Sequence, residues 1–232
     1  MTSLSDFPIT ARWPAINPTA LQLYTLNTPN GIKVSVMLEE CGLPYEAHRI
    51  SITDPEDQLT PEFLSLNPNN KIPAIIDPDG PDGQPLGLWE TGAILIYLGD
   101  KTGRFLPAAG AARWHTIQWL MWQMGGLGPM VGQVGFFHRY KGKEIEDPRP
   151  RTRYYNEARR LLGVLDRQLE ERDWITGEYS IADMAVGPWL RTIRVNYEAE
   201  SETGMEGFAN VQAYLTRFLD RPAVQRGIEV GA

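Results

Sequence analysis

Apolar positions change their period halfway along this chain. In the first hundred residues, short apolar runs of strand length alternate with helical spacing. Leu21 to Leu26 and Tyr45 to Thr53 read as strands. Between them Val34, Met37, Leu38 and Cys41 fall at i, i+3, i+4 and i+7. That spacing predicts an amphipathic helix over residues 30–42, stopped by Gly42. Thr60 to Leu66 reads as a short helix with Pro61 at its start. Ala74 to Asp77 and Leu86 to Trp89 read as strands, and Thr91 to Lys101 as a helix with Ile94, Tyr97 and Leu98 inward. The order βαβ, α, β, β, α implies one mixed sheet with helices packed on it.

From residue 102 to 112 the composition turns to Gly, Pro and Ala, a linker signature. Beyond it there is no strand signal, only helical spacing over about residues 111–141, 151–171, 180–196 and 208–219. The organisation expected is an extended N-terminal arm (1–20), an α/β domain (21–101), the linker (102–112) and an all-helical domain (113–232). Ser180-Ile181-Ala182-Asp183 is a near capping box, with Tyr179 and Met184 placed for a hydrophobic staple. It reads as folding chemistry rather than a binding site.

Candidate chemistry gathers in one stretch, Lys71-Ile72-Pro73-Ala74-Ile75-Ile76-Asp77 and then Trp89-Glu90-Thr91-Gly92-Ala93-Ile94. Pro73 lacks a backbone donor, which suits a strand entry. With a cis Ile72-Pro73 bond, the N–H and C=O of Ile72 can pair with a peptide laid alongside. Glu90 and Thr91 put a carboxylate and a helix N-terminus where the ammonium and carboxylate of an amino acid can dock. Together they read as a site for a small, extended, charged peptide.

Charge and composition remove several alternatives. The net charge of −7 gives no support to nucleic-acid binding or to an anionic membrane surface. No apolar run approaches the roughly 20 residues of a membrane span, and no secretory h-region is visible. A single cysteine, Cys41, cannot form an internal disulfide, so the expected compartment is the reducing cytoplasm. His48, His115 and His138 are scattered without ligand spacing, so no metal is expected. Gly125 to Gly132 follows a helix and lacks the Gly-Lys-Ser/Thr end of a phosphate loop, so a kink or close helix approach explains it better. Trp114, Trp119, Trp122, Phe136 and Phe137 read as mostly core.

Asn69-Asn70-Lys71-Ile72-Pro73-Ala74, Glu90-Thr91-Gly92-Ala93-Ile94 and Ser180-Ile181-Ala182-Asp183-Met184, in that order, resemble the cytosolic glutathione transferases. The likeness covers about residues 21–222. Thr28-Pro29-Asn30-Gly31 and the run Trp119 to Met130 resemble the nu class, many of whose members act on glutathione disulfide and small disulfides without a protein cysteine. The resemblance implies a thioredoxin-like α/β N-terminal domain followed by an all-α domain. It also implies a homodimer with two glutathione sites. In this frame Thr28 and Asn30 are the catalytic donors to the glutathione sulfur. Ile72 and Pro73 meet its cysteinyl unit, and Glu90 and Thr91 its γ-glutamyl end. Lys71 and Gln58 are candidates for the glycyl carboxylate and peptide edge, and Arg153 for a second glutathione. The arm is expected to pack over the other subunit.

Alternatives stay open at this level. Thr28 to Gly31 also reads as a plain turn and N-cap. Tyr24 is a rival thiolate partner, although mid-strand aromatics are usually core. Cys41 continues an apolar stripe and reads as buried and inert. The leading function is glutathione-dependent disulfide exchange on a small disulfide. Conjugation to an apolar electrophile, peroxide reduction and a non-catalytic interaction module are the competitors.

Overall fold

The computed structural model describes residues 3–232; Met1 and Thr2 of the expected arm lie outside the described residues. The described residues divide into two compact units, 3–102 with Ala223–Ala232, and Gly103–Pro222.

The first unit runs α1 (Ile9–Arg12), β1 (Leu21–Thr25), α2 (Pro29–Cys41), β2 (Tyr45–Arg49), α3 (Pro55–Gln58), α4 (Pro61–Leu66), β3 (Ala74–Asp77), β4 (Leu86–Trp89) and α5 (Thr91–Thr102). Its four strands lie in the order β2-β1-β3-β4. β1 pairs in parallel with β2, Leu21 opposite Tyr45, and α2 is the crossover that a parallel pair requires. β3 lies antiparallel to β1, Gln22 opposite Ile76, and β4 antiparallel to β3, Ala74 opposite Trp89. This is the expected mixed sheet. Its two central strands are buried along their whole length, while β4 at the edge is half-buried. α2 ends where Gly42 adopts φ 65°, as the spacing predicted.

Strand β2 stops short of the expected Thr53. Thr53 and Asp54 both donate backbone N–H groups to the Ser51 hydroxyl, at 3.3 and 3.1 Å, and the turn so formed ends the ladder. Asp54 then caps the short α3, which the pattern did not show.

The arm is not extended. Ile9 is wholly buried in a cluster with Tyr24, Ile50, Phe63, Leu66 and Ile76, and Leu4, Phe7 and Trp13 pack against it. Glu46 on β2 accepts from the backbone N–H groups of Ile16 and Asn17 at 3.0 and 2.9 Å. Leu4, Phe7, Ile9 and Trp13 of the arm therefore pack on the first unit of the same chain, while Ile16 stays exposed.

The second unit is helical: α6 (Gly110–Trp122), α7 (Gly128–His138), α8 (Pro148–Gln168), α9 (Ile181–Arg191), α10 (Glu200–Thr203) and α11 (Ala209–Leu219). The helical pattern expected over 111–141 is split by a π-helical turn at Gln123–Leu127, where the glycines cluster. α8 buries Ala158, Leu161, Leu162 and Leu165 on one face. Among the large aromatics, Trp114 is two-thirds exposed (67%), against expectation, and Phe136 is also exposed (41%).

The final helix, α12 (Pro222–Glu229), packs with the first unit rather than with the helical one to which its position in the chain assigned it. The Ser35 hydroxyl donates to the Gly227 carbonyl at 2.6 Å, and Arg226 pairs with Glu39 at 2.6 Å. A Cβ on Gly227 would stand 2.8 Å from Val36, so only glycine lets these two helices approach this closely. No helix among the described residues is long and apolar enough to cross a membrane.

Candidate functional site

Three loops of the first unit converge on one small cavity. β1 delivers the chain to the N-terminus of α2, where Thr28 is the N-cap: its hydroxyl oxygen accepts from the Gly31 N–H at 3.2 Å. A Cβ on Gly31 would lie 2.0 Å from the Leu26 carbonyl oxygen, so this turn closes only over glycine. Asn30 follows in the first turn, where helix N–H groups and the dipole favour negative charge.

The second loop enters β3. Asn67 organises it: its side chain donates to the Lys71 carbonyl at 2.5 Å and accepts from the Asn69 N–H at 2.9 Å. Asn70 sits at φ 49°, a left-handed conformation that asparagine tolerates. Gln58 is buried and donates to the Asn70 carbonyl. The Ile72-Pro73 peptide is cis, and strand pairing of β3 begins only at Ala74.

The third loop leaves β4. Glu90 is held at φ 68° and is exposed. The Ile94 N–H reaches back to the Glu90 carbonyl at 3.0 Å, opening α5 with Thr91 in its first turn. Thr91 is buried (6% exposed), and its hydroxyl accepts from Lys33 Nζ at 3.4 Å.

Asn30, Asn67, Asn69, Lys71, Ile72, Pro73, Glu90 and Thr91 line the resulting cavity of about 150 Å³. A carboxylate and an ammonium line this cavity together with three side-chain amides. That donor set suits one end of a zwitterionic peptide.

Six of the sequence-named residues therefore meet here. Thr28 adjoins the cavity through the cap it forms but does not line it. Gln58 is turned inward as a brace for the 67–71 loop. Arg153, on α8 of the second unit, lines another cavity of about 440 Å³ with Met130, Tyr154, Asn156, Glu157 and Arg160. Sequence reasoning missed Asn67; its signal was the Asn67-Pro68 pair, a turn opener. It also missed Lys33, whose one sequence signal is a charge amid the apolar positions of α2.

The rivals are placed away from the cavity. Tyr24 is fully buried and stacks on His48 at 4.7 Å, and its hydroxyl has no hydrogen-bond partner. Burial, then the charge of Glu46, pushes its phenol well above the ordinary range. Cys41 is the last residue of α2, at the opposite end from Thr28. It is half-buried rather than buried, with its sulfur near Met37 Sδ (4.0 Å) and Thr102 Oγ1 (3.6 Å). Among the described residues no cluster of three or more His, Cys, Asp or Glu side chains could hold a metal ion.

A parallel-antiparallel sheet carrying a cis-proline strand entry, followed by an all-helical unit, defines a thioredoxin-like domain fused to a helical one. Residues 28–101 match the glutathione S-transferase N-terminal domain and residues 150–217 the glutathione S-transferase C-terminal domain, and the chain belongs to this family. It is 42% identical to the disulfide-bond oxidoreductase YfcG of Escherichia coli over 90% of this chain and 94% of that one. To YghU, a disulfide-bond oxidoreductase of the same organism, it is 41% identical over 89% and 73%. Among solved structures, a Pseudomonas putida glutathione transferase with one glutathione disulfide bound per subunit superposes at a TM-score of 0.96. Its identity is 60%, covering 98% of this chain and 99% of that one. A Burkholderia graminis glutathione transferase with two glutathione molecules per subunit superposes at 0.95, with 62% identity and coverage of 99% and 95%.

Proposed function

We propose that this chain is an enzyme that reduces small disulfides through bound glutathione, with no protein cysteine taking part. The observation that carries the reading is the position of its groups along α2. Donors stand at the helix N-terminus beside the cavity, while the only cysteine closes the opposite end. Support comes from relatives named as disulfide-bond oxidoreductases and from similar structures holding glutathione or glutathione disulfide.

In this reading Glu90 pairs with the γ-glutamyl ammonium, and Thr91 donates to its carboxylate. Ile72 offers its main chain to the cysteinyl unit, with Pro73 shaping the cavity beside it. Lys71 takes the glycyl carboxylate. Gln58 acts indirectly, by holding the loop that carries Lys71. The Thr28 hydroxyl oxygen already accepts from Gly31, so its proton is left to donate to a sulfur, with Asn30 as second donor. These donors lower the free energy of the thiolate that attacks. That thiolate bonds to one substrate sulfur while the S–S bond breaks, and the departing thiolate takes up a proton. A second glutathione thiolate attacks the mixed disulfide, leaving glutathione disulfide and the second reduced thiol. Arg153 is the proposed contact for that second glutathione.

Disulfide turnover measured beside conjugation of a chlorinated nitroarene tests the assignment. Cys41→Ala should reduce a small disulfide nearly as the wild type does. Conjugation or peroxide reduction far exceeding disulfide reduction would replace this reading with the conventional one, and absence of all three would leave an interaction module. We also infer a cytoplasmic homodimer. The family, the single cysteine and the exposed Trp114 and Met121 on α6 support it. Light scattering should give twice 26.1 kDa.

A further inference from the structure

Lys33 is one of the largest fully buried side chains in the protein, and it is a cation (1% exposed). An ammonium removed from water is strongly disfavoured unless something compensates it. Burial lowers its pKa from 10.5 to about 7, with the charge of Glu90 opposing the shift. It lies two residues past Gly31 in the first turns of α2, and its Nζ meets the Thr91 hydroxyl at 3.4 Å across 58 positions of sequence. Thr91 lines the cavity and Lys33 does not, so the ammonium stands directly behind a residue of the cavity wall.

We propose that Lys33 is a positioning residue for a ligand carboxylate: from behind the wall it holds the Thr91 hydroxyl as a donor and supplies the positive charge that an α-carboxylate at the head of α5 requires. The proposal rests on reading the cavity as the glutathione site and deepens it.

The hydroxyl argument is geometric. A threonine oxygen that accepts from an ammonium keeps its own O–H proton for another acceptor. With ligand bound, the rotatable O–H turns to the ligand carboxylate as that acceptor. The charge argument is one of balance. The site places one carboxylate, Glu90, for the ligand's ammonium, and the ligand brings a second carboxylate of its own. Glu90 and the ligand's α-carboxylate then stand close together at the head of α5 with one ligand ammonium between them, and a cation behind Thr91 offsets the second negative charge. Lys71, the other cation at the cavity, is exposed and strongly hydrated. The other charges on neighbouring elements are engaged or distant. Arg226 of α12 pairs with Glu39 near the opposite end of α2, and Tyr45 of β2 donates to that same Glu39. On α5, Lys101 pairs with Asp77 and Asp79 near the far end of that helix, beside Asp100.

Proton linkage follows with a definite sign. A carboxylate bound near Lys33 favours its charged form and raises its pKa above that of the free protein. Well below pH 7 both states hold the proton, and binding is independent of pH. From about 7 upward, binding takes up a proton, and affinity falls as pH rises until the bound-state pKa is passed.

Titration calorimetry at pH 7.5 in two buffers of different ionisation enthalpy tests this. The probes are S-methylglutathione, whose blocked sulfur cannot titrate, and its analogue lacking the α-carboxylate. The wild type should take up protons with the first probe and not with the second. Lys33→Met should lose that uptake and about tenfold or more in affinity for S-methylglutathione, while binding the analogue as the wild type does. Lys33→Gln, which retains an N–H donor without the charge, should behave like Lys33→Met. Full recovery of the carboxylate preference in Lys33→Gln would overturn the role of charge. An unchanged preference in a folded Lys33→Met would overturn the proposal entirely. Should both variants fail to fold, equal proton uptake by the wild type with the two probes overturns it instead. The Glu90→Gln variant separates the two levels. If it binds S-methylglutathione as the wild type does, the ligand site is elsewhere. If it binds weakly while Lys33→Met keeps the wild-type preference, only the role of Lys33 falls.

Discussion

Two helices of this protein begin with the same local device and put it to different ends. At the start of α9 the Ser180 and Asp183 side chains close every donor they can reach. The Asp183 carboxylate accepts from the Ser180 N–H at 2.8 Å, the Ser180 hydroxyl at 3.0 Å and the Ile175 N–H at 3.0 Å. The Ser180 oxygen in turn accepts from the Ala182 N–H at 3.3 Å. Both residues are buried, and Asp183 is inaccessible to solvent. At the start of α2, Thr28 makes one capping bond, to Gly31, and stays half-exposed with Asn30 beside a cavity. A helix start whose donors are all answered internally stabilises the fold. One that leaves its first turn facing an opening can answer a ligand. The cap residues alone do not distinguish the two cases; their surroundings do.

The comparison breaks most readily at Asp183. Asp183→Ala leaves two buried N–H groups without acceptors, and stability should drop by about 2–4 kcal/mol. Affinity for glutathione, per folded molecule, should not change. Chemical denaturation and calorimetry on one preparation check both halves.

Next in size is Glu90→Gln. It removes a charge-assisted pair with the ligand ammonium and should weaken glutathione binding by about 1.5–3 kcal/mol. Here stability should move little, because Glu90 is exposed. Unchanged affinity would show that the α2 cavity is not the site.

Thr28→Ala should do both things in smaller measure. Loss of the cap costs about 0.5–2 kcal/mol of stability, and loss of the donor about tenfold or more in kcat/KM for a small disulfide. Asn30→Ala should show the kinetic loss alone. Normal turnover in both, with a defect in Tyr24→Phe, would transfer the role to the tyrosine despite its burial.

The smallest effect is a pH slope. Burial raises the Asp183 pKa from 3.8 to about 6, against the opposing hydrogen bonds from Ile175 and Ser180. Between those values the folded chain holds a proton that the unfolded chain has released. This carboxyl's contribution to stability therefore falls as pH rises through that window and is flat above it. Asp183→Asn should remove that slope from the stability profile, which denaturation series at pH 4, 5, 6 and 7 would show.

Local patterning made much of this molecule legible from its residues. β3 and β4 lie where the apolar runs placed them, and α2 stops at its glycine. The capping box at Ser180 is a folding device as read. These features are set within a few positions of chain, by side-chain period, proline, glycine and cap chemistry. The pairing of Pro73 with the Glu90-Thr91 turn was also readable, because short strands and a tight turn leave little freedom over so few residues.

Tertiary structure alone decided the rest, and each case is a choice about burial. The arm's Ile9 and Phe7 look stranded in sequence but find a hydrophobic cover on α4 and β1. Gln58 and Trp114 exchanged their expected faces, one turned inward to brace a loop and the other left in solvent. α12 crosses back to α2 because Gly227 and Ser35, 192 positions apart, fit together. Lys33 meets Thr91 because α2 and α5 pack side by side. A periodic pattern states that a face is apolar; it does not state what will cover it. Covering is settled by contacts between residues far apart in sequence, and those contacts set a lysine of an apolar helix against Thr91, behind the wall of a charged pocket.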